Sequence, residues 1–318
     1  MKIRYNARAC SVLYNVLKSN LIRGTVLMPS NICESVPATY MLLGIKPFFC
    51  DISLTDYQLD KDSAFNIIEH QSIDILHYNH TFGYLCEEDE EFLRVIRNNY
   101  PDMFIVDDRC LCYPEFCVDG SVADLVLYST GTVKCVDIGW GGYGIISDKI
   151  EYHEFERHYS IKAHDDFERH IKDCHKNKRP ISEEIIMSNW IDLSIDDGND
   201  YYETVKNKMK ESIEHRLVLN DIYRELPGSL PIGYCNWRYQ IILENAQDCL
   251  REIFNRGLFC SNHYMSLGNG YFSDVETPNN NYLERHILNL FNDFRFTVNQ
   301  ARFLVEILSQ MAIPIEGY

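Results

Sequence analysis

The sequence predicts an α/β fold: a mostly parallel sheet with helices on both faces, followed by a small α+β domain at the C-terminus. Three observations point there. Over residues 1–150, short apolar runs alternate with helix-like stretches, the pattern of strands joined by crossover helices. Over residues 151–200 the chain is rich in His, Lys, Asp and Glu and has few periodic apolar positions. From residue 201 a shorter alternation resumes. The expected organisation is therefore a large α/β domain at 1–150, connecting helices and loops at 151–200, and the small domain at 201–318.

Asn6 to Asn20 places Val12, Leu13, Val16 and Leu17 on one helical face. Thr25 to Met28 reads as a strand stopped by Pro29. Ser35 to Leu43 reads as a helix ending at Gly44, a usual C-terminal stop. Pro47 to Asp51 is a strand, Ser63 to His70 a helix, and Ile73 to Asn79 a strand. Glu87 to Asn98 opens with acidic residues, which a helix N-terminus favours. Met103 to Asp108, Ala123 to Ser129 and Gly141 to Ser147 read as strands. Tyr201 to Arg224 is a long amphipathic helix. Arg238 to Leu243 is a strand, Ala246 to Asn255 a helix ending at Gly257, Leu258 to His263 a strand, and Thr297 to Met311 a final helix.

The composition excludes several classes. The chain has 318 residues, 46% of them hydrophobic, and a net charge of −17. That balance opposes an extended nucleic-acid surface or docking on acidic lipid, so neither nucleic acid nor membrane is expected as a partner. The N-terminus lacks the continuous apolar core of a secretory signal, and no stretch has the roughly 18 apolar residues of a membrane helix. A cytoplasmic protein is expected. The twelve cysteines contain no CxxC pair, so they read as reduced, mostly buried thiols rather than a zinc site. No metal is expected.

In open α/β sheets, ligands sit at the carboxyl ends of the strands. Attention therefore falls on Pro29-Ser30-Asn31, Asn79-His80-Thr81, Asp107-Asp108 and Ser129-Thr130. Lys134 follows Ser129, and the turn Gly139-Trp140-Gly141-Gly142 leads into the next strand. A carboxylate at one strand end and a lysine beyond the next suit pyridoxal phosphate chemistry. The lysine would bond the aldehyde and the aspartate would keep the pyridine nitrogen protonated. Backbone N–H groups at a helix start bind phosphate, which Cys10 and Ser11 could supply, and Ser129 adds a hydroxyl. Taken alone, each feature also has a plain reading: a lysine in a surface loop, an aspartate capping a strand, a glycine-rich hairpin or bulge.

The motifs resemble the sugar aminotransferases of the DegT/DnrJ/EryC1/StrS family, whose fold is the aspartate aminotransferase-like fold type I. VLMPSNICESVPATYMLLGIKPFFCDIS is similar to that family's strand, Pro-Ser turn, helix and strand ending in Val-Asp. ILHYNHTFG resembles its His-x-Phe-Gly strand end, here His80, Phe82 and Gly83. FIVDDRC resembles its Glu-Asp-Ala-Ala segment, and LVLYSTGTVKCVDIGWGGYGIISD its Ser-Phe-x-x-x-Lys segment with a following Gly-Gly strand. NRGLFCSNHYMSLG and LERHILNLFNDFRFTVNQARFLVEIL extend the resemblance toward the C-terminus.

The resemblance implies pyridoxal 5'-phosphate as cofactor, Lys134 as the Schiff-base lysine, Asp108 on the pyridine nitrogen, and Ser129 on the phosphate. It implies a homodimer in which Asn189, in MSNWIDLS, reaches the partner subunit's phosphate. It also implies transfer of an amino group from glutamate or glutamine to a keto sugar, probable nucleotide linkage included. Arg8, Arg238 and His263 are candidates for substrate contact, and the negative charge makes a local basic site necessary for an anionic substrate. The pattern departs from the family where Cys33 stands at the position of a ring-stacking aromatic, and at Arg109, Cys110, Leu111 and Thr130. Phe82 or Trp140 are alternative stacking partners. These departures keep two other readings open: a non-catalytic relative on the same scaffold, and other pyridoxal phosphate chemistry such as sugar dehydration. Retention of Lys134 counts against the dehydratases, which resemble the family but replace that lysine.

Overall fold

Strands rich in β-branched and aromatic residues, separated by one-sided helices, build a sheet covered on both faces. The computed structural model describes residues 1–177, 179–194 and 200–315. In chain order the elements are β1 (Lys2–Asn6), α1 (Ala9–Ser19), β2 (Thr25–Pro29), α2 (Ser35–Leu42), β3 (Lys46–Cys50), α3 (Lys61–His70), β4 (Ile75–Asn79), α4 (Glu87–Asn99), β5 (Phe104–Asp108), β6 (Leu125–Ser129) and β7 (Gly142–Ile146). There follow α5 (Ile161–Asn177), α6 (Glu183–Ile186), α7 (Tyr201–Tyr223), β8 (Tyr239–Ile242), α8 (Ala246–Asn255), β9 (Cys260–Ser261), α9 (Pro278–His286), β10 (Ile287–Leu290) and α10 (Val298–Met311).

The large sheet has seven strands in the order β1-β7-β6-β5-β4-β2-β3. Strands β2 to β6 run parallel, and β7 runs antiparallel to both β6 and β1. Every residue of β4, β5 and β7 is buried, as a doubly covered sheet requires. On one face Val12, Leu13, Val16 and Leu17 of α1 and Tyr40 of α2 pack on Val26, Phe104, Leu125 and Ile146. On the other, Ile68 of α3, Phe92 and Ile96 of α4 and Val205 of α7 pack on Leu76, Ile105 and Val126. Helix α1 lies so close to β7 that a Cβ on Gly142 would stand 2.2 Å from the Ala9 nitrogen. Backbone cannot yield as a side chain can. Gly142→Ala is expected to cost about 1–3 kcal/mol in urea unfolding, and an unchanged midpoint would refute this close docking.

The small sheet is antiparallel, in the order β8-β10-β9. The C-terminal part of α7, with α8 and α10, covers one of its faces through Leu219, Tyr223, Cys249, Ile253, Leu304 and Leu308. Helix α10 opens with a reciprocal Thr297–Gln300 capping box.

Several elements differ from the sequence expectation. The first helix begins at Ala9, because Lys2–Asn6 forms an edge strand instead. In KIRYN the residues alternate, Lys2 and Arg4 outward and Ile3 and Tyr5 inward, which is strand periodicity with a charged, aggregation-resistant edge. The charged middle region contains α5, whose Phe167, Ile171 and Cys174 form a narrow buried stripe. The strand expected over Leu258 to His263 shortens to Cys260–Ser261. Helix α9 and strand β10 were not separately anticipated from periodicity.

Candidate active site

Asp108 ends β5 on the face covered by α1 and α2, since alternate residues Phe104 and Val106 belong to that core. His77 of β4 shares that face. Its Nε2 lies 3.0 Å from Asp108 Oδ2, and its Nδ1 lies 2.9 Å from the Tyr40 hydroxyl. Burial pushes the Tyr40 pKa far up, so its hydroxyl stays protonated beside Nδ1, while Nε2 faces the Asp108 carboxylate. The Cys110 N–H donates to Asp108 Oδ1 at 2.8 Å. Burial alone would raise the Asp108 pKa, but His77 and Cys110 outweigh it and hold it at about 2. Asp108 is a fixed, buried anion at neutral pH.

Lys134 sits in the loop between β6 and β7. Its amine makes no hydrogen bond or ion pair with the described residues. Burial opposes its charge, while Tyr264, Cys110, Cys33 and Asp108 favour it, and the net direction is upward. The same electrostatic neighbourhood includes Cys10, which senses both Asp108 and Lys134. Cys10, Cys33, Cys110, Asp108, Lys134 and Tyr264 thus lie within electrostatic reach of one another at the carboxyl end of the parallel strands, the recess where open α/β sheets take their ligands. Cys10 Sγ donates to Ser35 Oγ at 3.4 Å, and Cys33 Sγ lies 3.2 Å from the same oxygen. Burial raises the Cys33 pKa to about 11, so it is a neutral thiol.

Ser129 ends β6 on the face of Leu125 and Leu127, and its hydroxyl has no partner among the described residues. Among the described residues the Cys10 N–H takes no backbone acceptor at the start of α1. Ser11, the other donor expected there, is spent: its N–H turns back to the Arg8 carbonyl at 3.0 Å and its hydroxyl donates to the Asp192 carbonyl. The recess therefore offers an anion, an unpaired amine, a free hydroxyl and a helix-start N–H. The donors suit a phosphate, and the first two groups suit a pyridine aldehyde.

The other expected residues lie apart or are engaged. Arg8 contacts His164, Nη2 to Nε2, at 3.1 Å. Arg238 is 2% exposed and pairs with Asp293 at 2.6 Å, its guanidinium lying 4.0 Å from the Phe291 ring centre. Asp293 is shared with Arg295, and the guanidinium is held in place. Burial of the His263 ring, and after it the nearby Arg238 and Lys134 charges, lower its pKa to about 4, so it is neutral at pH 7, although part of the residue keeps solvent access. Asn189 adjoins Trp190, which packs with Tyr14, Ala38 and Leu42 on the side of α1 and α2 away from the sheet. Within this chain it does not join Asp108. Trp140 packs against Tyr201, and Phe82 is wholly buried beside Tyr57. Among the described residues no cluster of three or more His, Cys, Asp or Glu side chains could hold a metal.

Sequence reasoning missed His77 and Tyr40. The signal was present: a histidine inside the apolar run Ile75–Asn79 must be buried, and period 2 puts it on the face of Asn79. His80 instead turns to the other face, where a chain of alternating charge runs through Lys61, Asp89, His80, Asp107 and Arg109. Burial would lower the His80 pKa, but Asp107 and Asp89 raise it to about 9. An unfolded histidine titrates near 6.5, so this contribution is full below about pH 6.5 and is lost as pH rises through about 9. Unfolding stability should fall by up to about 3 kcal/mol across that window. His80→Gln should lack this slope, and equal slopes in both proteins would contradict the assignment.

No family profile matches the sequence, and no curated protein matches it. Solved structures do match. An aminotransferase from Brucella abortus described as DegT DnrJ EryC1 StrS superposes with a TM-score of 0.67 at 14% identity, covering 98% of this chain and 86% of that one. DesI, solved in the presence of its TDP-sugar product, gives 0.66 at 15% identity, covering 98% and 80%. The Escherichia coli GDP-4-keto-6-deoxy-D-mannose-3-dehydratase, with bound hydrated PLP, gives 0.62 at 13% identity, covering 97% and 87%. The TM-scores and near-complete coverage agree: this chain has the aspartate aminotransferase-like fold of these pyridoxal phosphate-dependent enzymes.

Proposed function

We propose that the protein is a pyridoxal phosphate-dependent aminotransferase that moves an amino group from glutamate or glutamine to a keto sugar. The observation that carries this reading is the pairing of an unbonded Lys134 amine with a His77-backed Asp108 anion in one recess. The cofactor, when bound, accepts the electron pair of the bond broken at the substrate carbon. Lys134 would hold the cofactor at its aldehyde and would carry a proton to and from the substrate carbon. Asp108 keeps the pyridine nitrogen cationic, and His77 and Tyr40 orient Asp108. Ser129 and the Cys10 N–H would hold the phosphate, and the neutral Cys33 thiol would help to line the cofactor's place.

In this reading residues 1–150 bind the cofactor, 151–200 connect, and 201–318 close over the substrate through His263. The active form is a cytoplasmic homodimer with Asn189 serving the partner subunit's phosphate. Because Arg8 and Arg238 are already engaged, a nucleotide-linked substrate takes its cationic contacts from the partner subunit. No described helix is long and apolar enough to cross a membrane.

The test is spectroscopic. With added pyridoxal phosphate, the purified protein should show the visible band of lysine-bound cofactor. Glutamate should then convert it to the aminated cofactor. A band that glutamate leaves unchanged would favour dehydration or another chemistry, and no band at saturating cofactor would favour the non-catalytic reading.

A further inference from the structure

The loop that carries Lys134 is fastened by side chains from the C-terminal half of the chain. The Trp237 indole Nε1–H donates to the Val133 carbonyl at 2.6 Å. Arg216 donates through Nη2 to the Lys134 carbonyl at 3.2 Å and through Nε to the Asn236 carbonyl at 2.8 Å. Asn236 donates in turn to the Gly83 carbonyl at 3.0 Å, and the Cys135 thiol donates to the Leu111 carbonyl at 2.7 Å. The carbonyls on both sides of the Val133–Lys134 junction are thereby held from outside the large sheet.

Two features show that this restraint is needed. Val133 has φ +66°, a region that a β-branched side chain avoids unless the surroundings enforce it. Arg216 is 2% exposed and forms no salt bridge with a described carboxylate. A buried cation is costly unless its donors are used, and its two bonds here go to the lysine loop and to Asn236, next to Trp237. Trp237 also stacks on Tyr264, with ring centres 5.6 Å apart, and meets His263 edge-on at 6.2 Å. One indole therefore touches the carbonyl preceding Lys134 and the residues that border the recess from the other side.

We propose that Trp237 and Arg216 are positioning residues that aim the Lys134 amine into the recess. The proposal rests on the functional reading of Lys134 but is tested without cofactor. Trp237→Phe keeps the ring and loses the donor. Arg216→Lys keeps the charge and cannot make both bonds. Each full-length, cofactor-free variant is pulsed with trace acetic anhydride between pH 7 and 11, and acetylation is quantified at each lysine by mass spectrometry.

Lys134 labelling, relative to the exposed Lys172, should rise at least threefold in both variants as the amine leaves its recess. Adding Val133→Gly to Trp237→Phe should restore the wild-type ratio, because glycine holds a positive φ without the indole bond. An unchanged ratio in the folded variants overturns the proposal. So does a parallel rise at every lysine, or failure of both variants to fold, since each marks a merely structural role. If Trp237→Phe alone fails to fold, Arg216→Lys decides. Absence of a visible band in the wild type with pyridoxal phosphate would count against the functional reading alone.

Discussion

Lys134→Ala is expected to abolish the visible pyridoxal phosphate band and to reduce amino transfer by at least about 10³-fold, within the range that a positioned proton carrier supplies. The fold should survive. The Lys134 amine bonds to no described residue, and the loop's restraints act on the carbonyls of Val133 and Lys134, which alanine keeps. The thermal midpoint should therefore stay within a few degrees of wild type, by scanning calorimetry. A variant that retains the band, or a tenth of the activity, would remove Lys134 from the mechanism.

Asp108→Asn should lower amino transfer by about 10²–10³-fold, the usual loss when one preorganised charge or dipole is removed. The amide preserves the shape but cannot hold a pyridine nitrogen cationic. His77→Gln tests the support. Asp108 titrates at about 2 in the fold, against roughly 3.9 when unfolded. A depressed carboxylate stabilises the fold above the unfolded value, and that contribution disappears as pH falls through the folded value. The contribution is about 3 kcal/mol. The pH-dependent part of the difference between His77→Gln and wild type should be present at pH 7 and gone by pH 2 in urea titrations. A constant difference across that range would mean His77 only packs.

Much of the site was legible because its residues follow apolar runs. Asp108 after Met103–Val106 and Ser129 after Leu125–Tyr128 had to stand at strand ends, and Lys134 had to fall in the next loop. Cys33, Cys110 and Leu111 were legible as departures from the family pattern, and the structure puts both cysteines around Lys134. Arg238 misled, since an arginine beginning a strand looks free, and its partner Asp293 lies far along the chain. Ser11 misled similarly, because its acceptor belongs to the distant residue Asp192. Strand β1 escaped notice because its alternation is only five residues long and two of the five are charged.

Sequence alone determined the alternating architecture, the strand-end positions of Asp108 and Ser129, and Lys134 as the amine to test. Those follow from periodicity and local order, which act over a few residues. Only the tertiary structure decided which groups meet. The His77–Tyr40 support, the His80 charge chain on the opposite face, the Asp293-paired Arg238 and the Trp237–Arg216 hold on the lysine loop all join residues from separate elements. Hydrogen bonds and ion pairs reach only a few ångströms, so they depend on how the elements pack, and no local pattern encodes them.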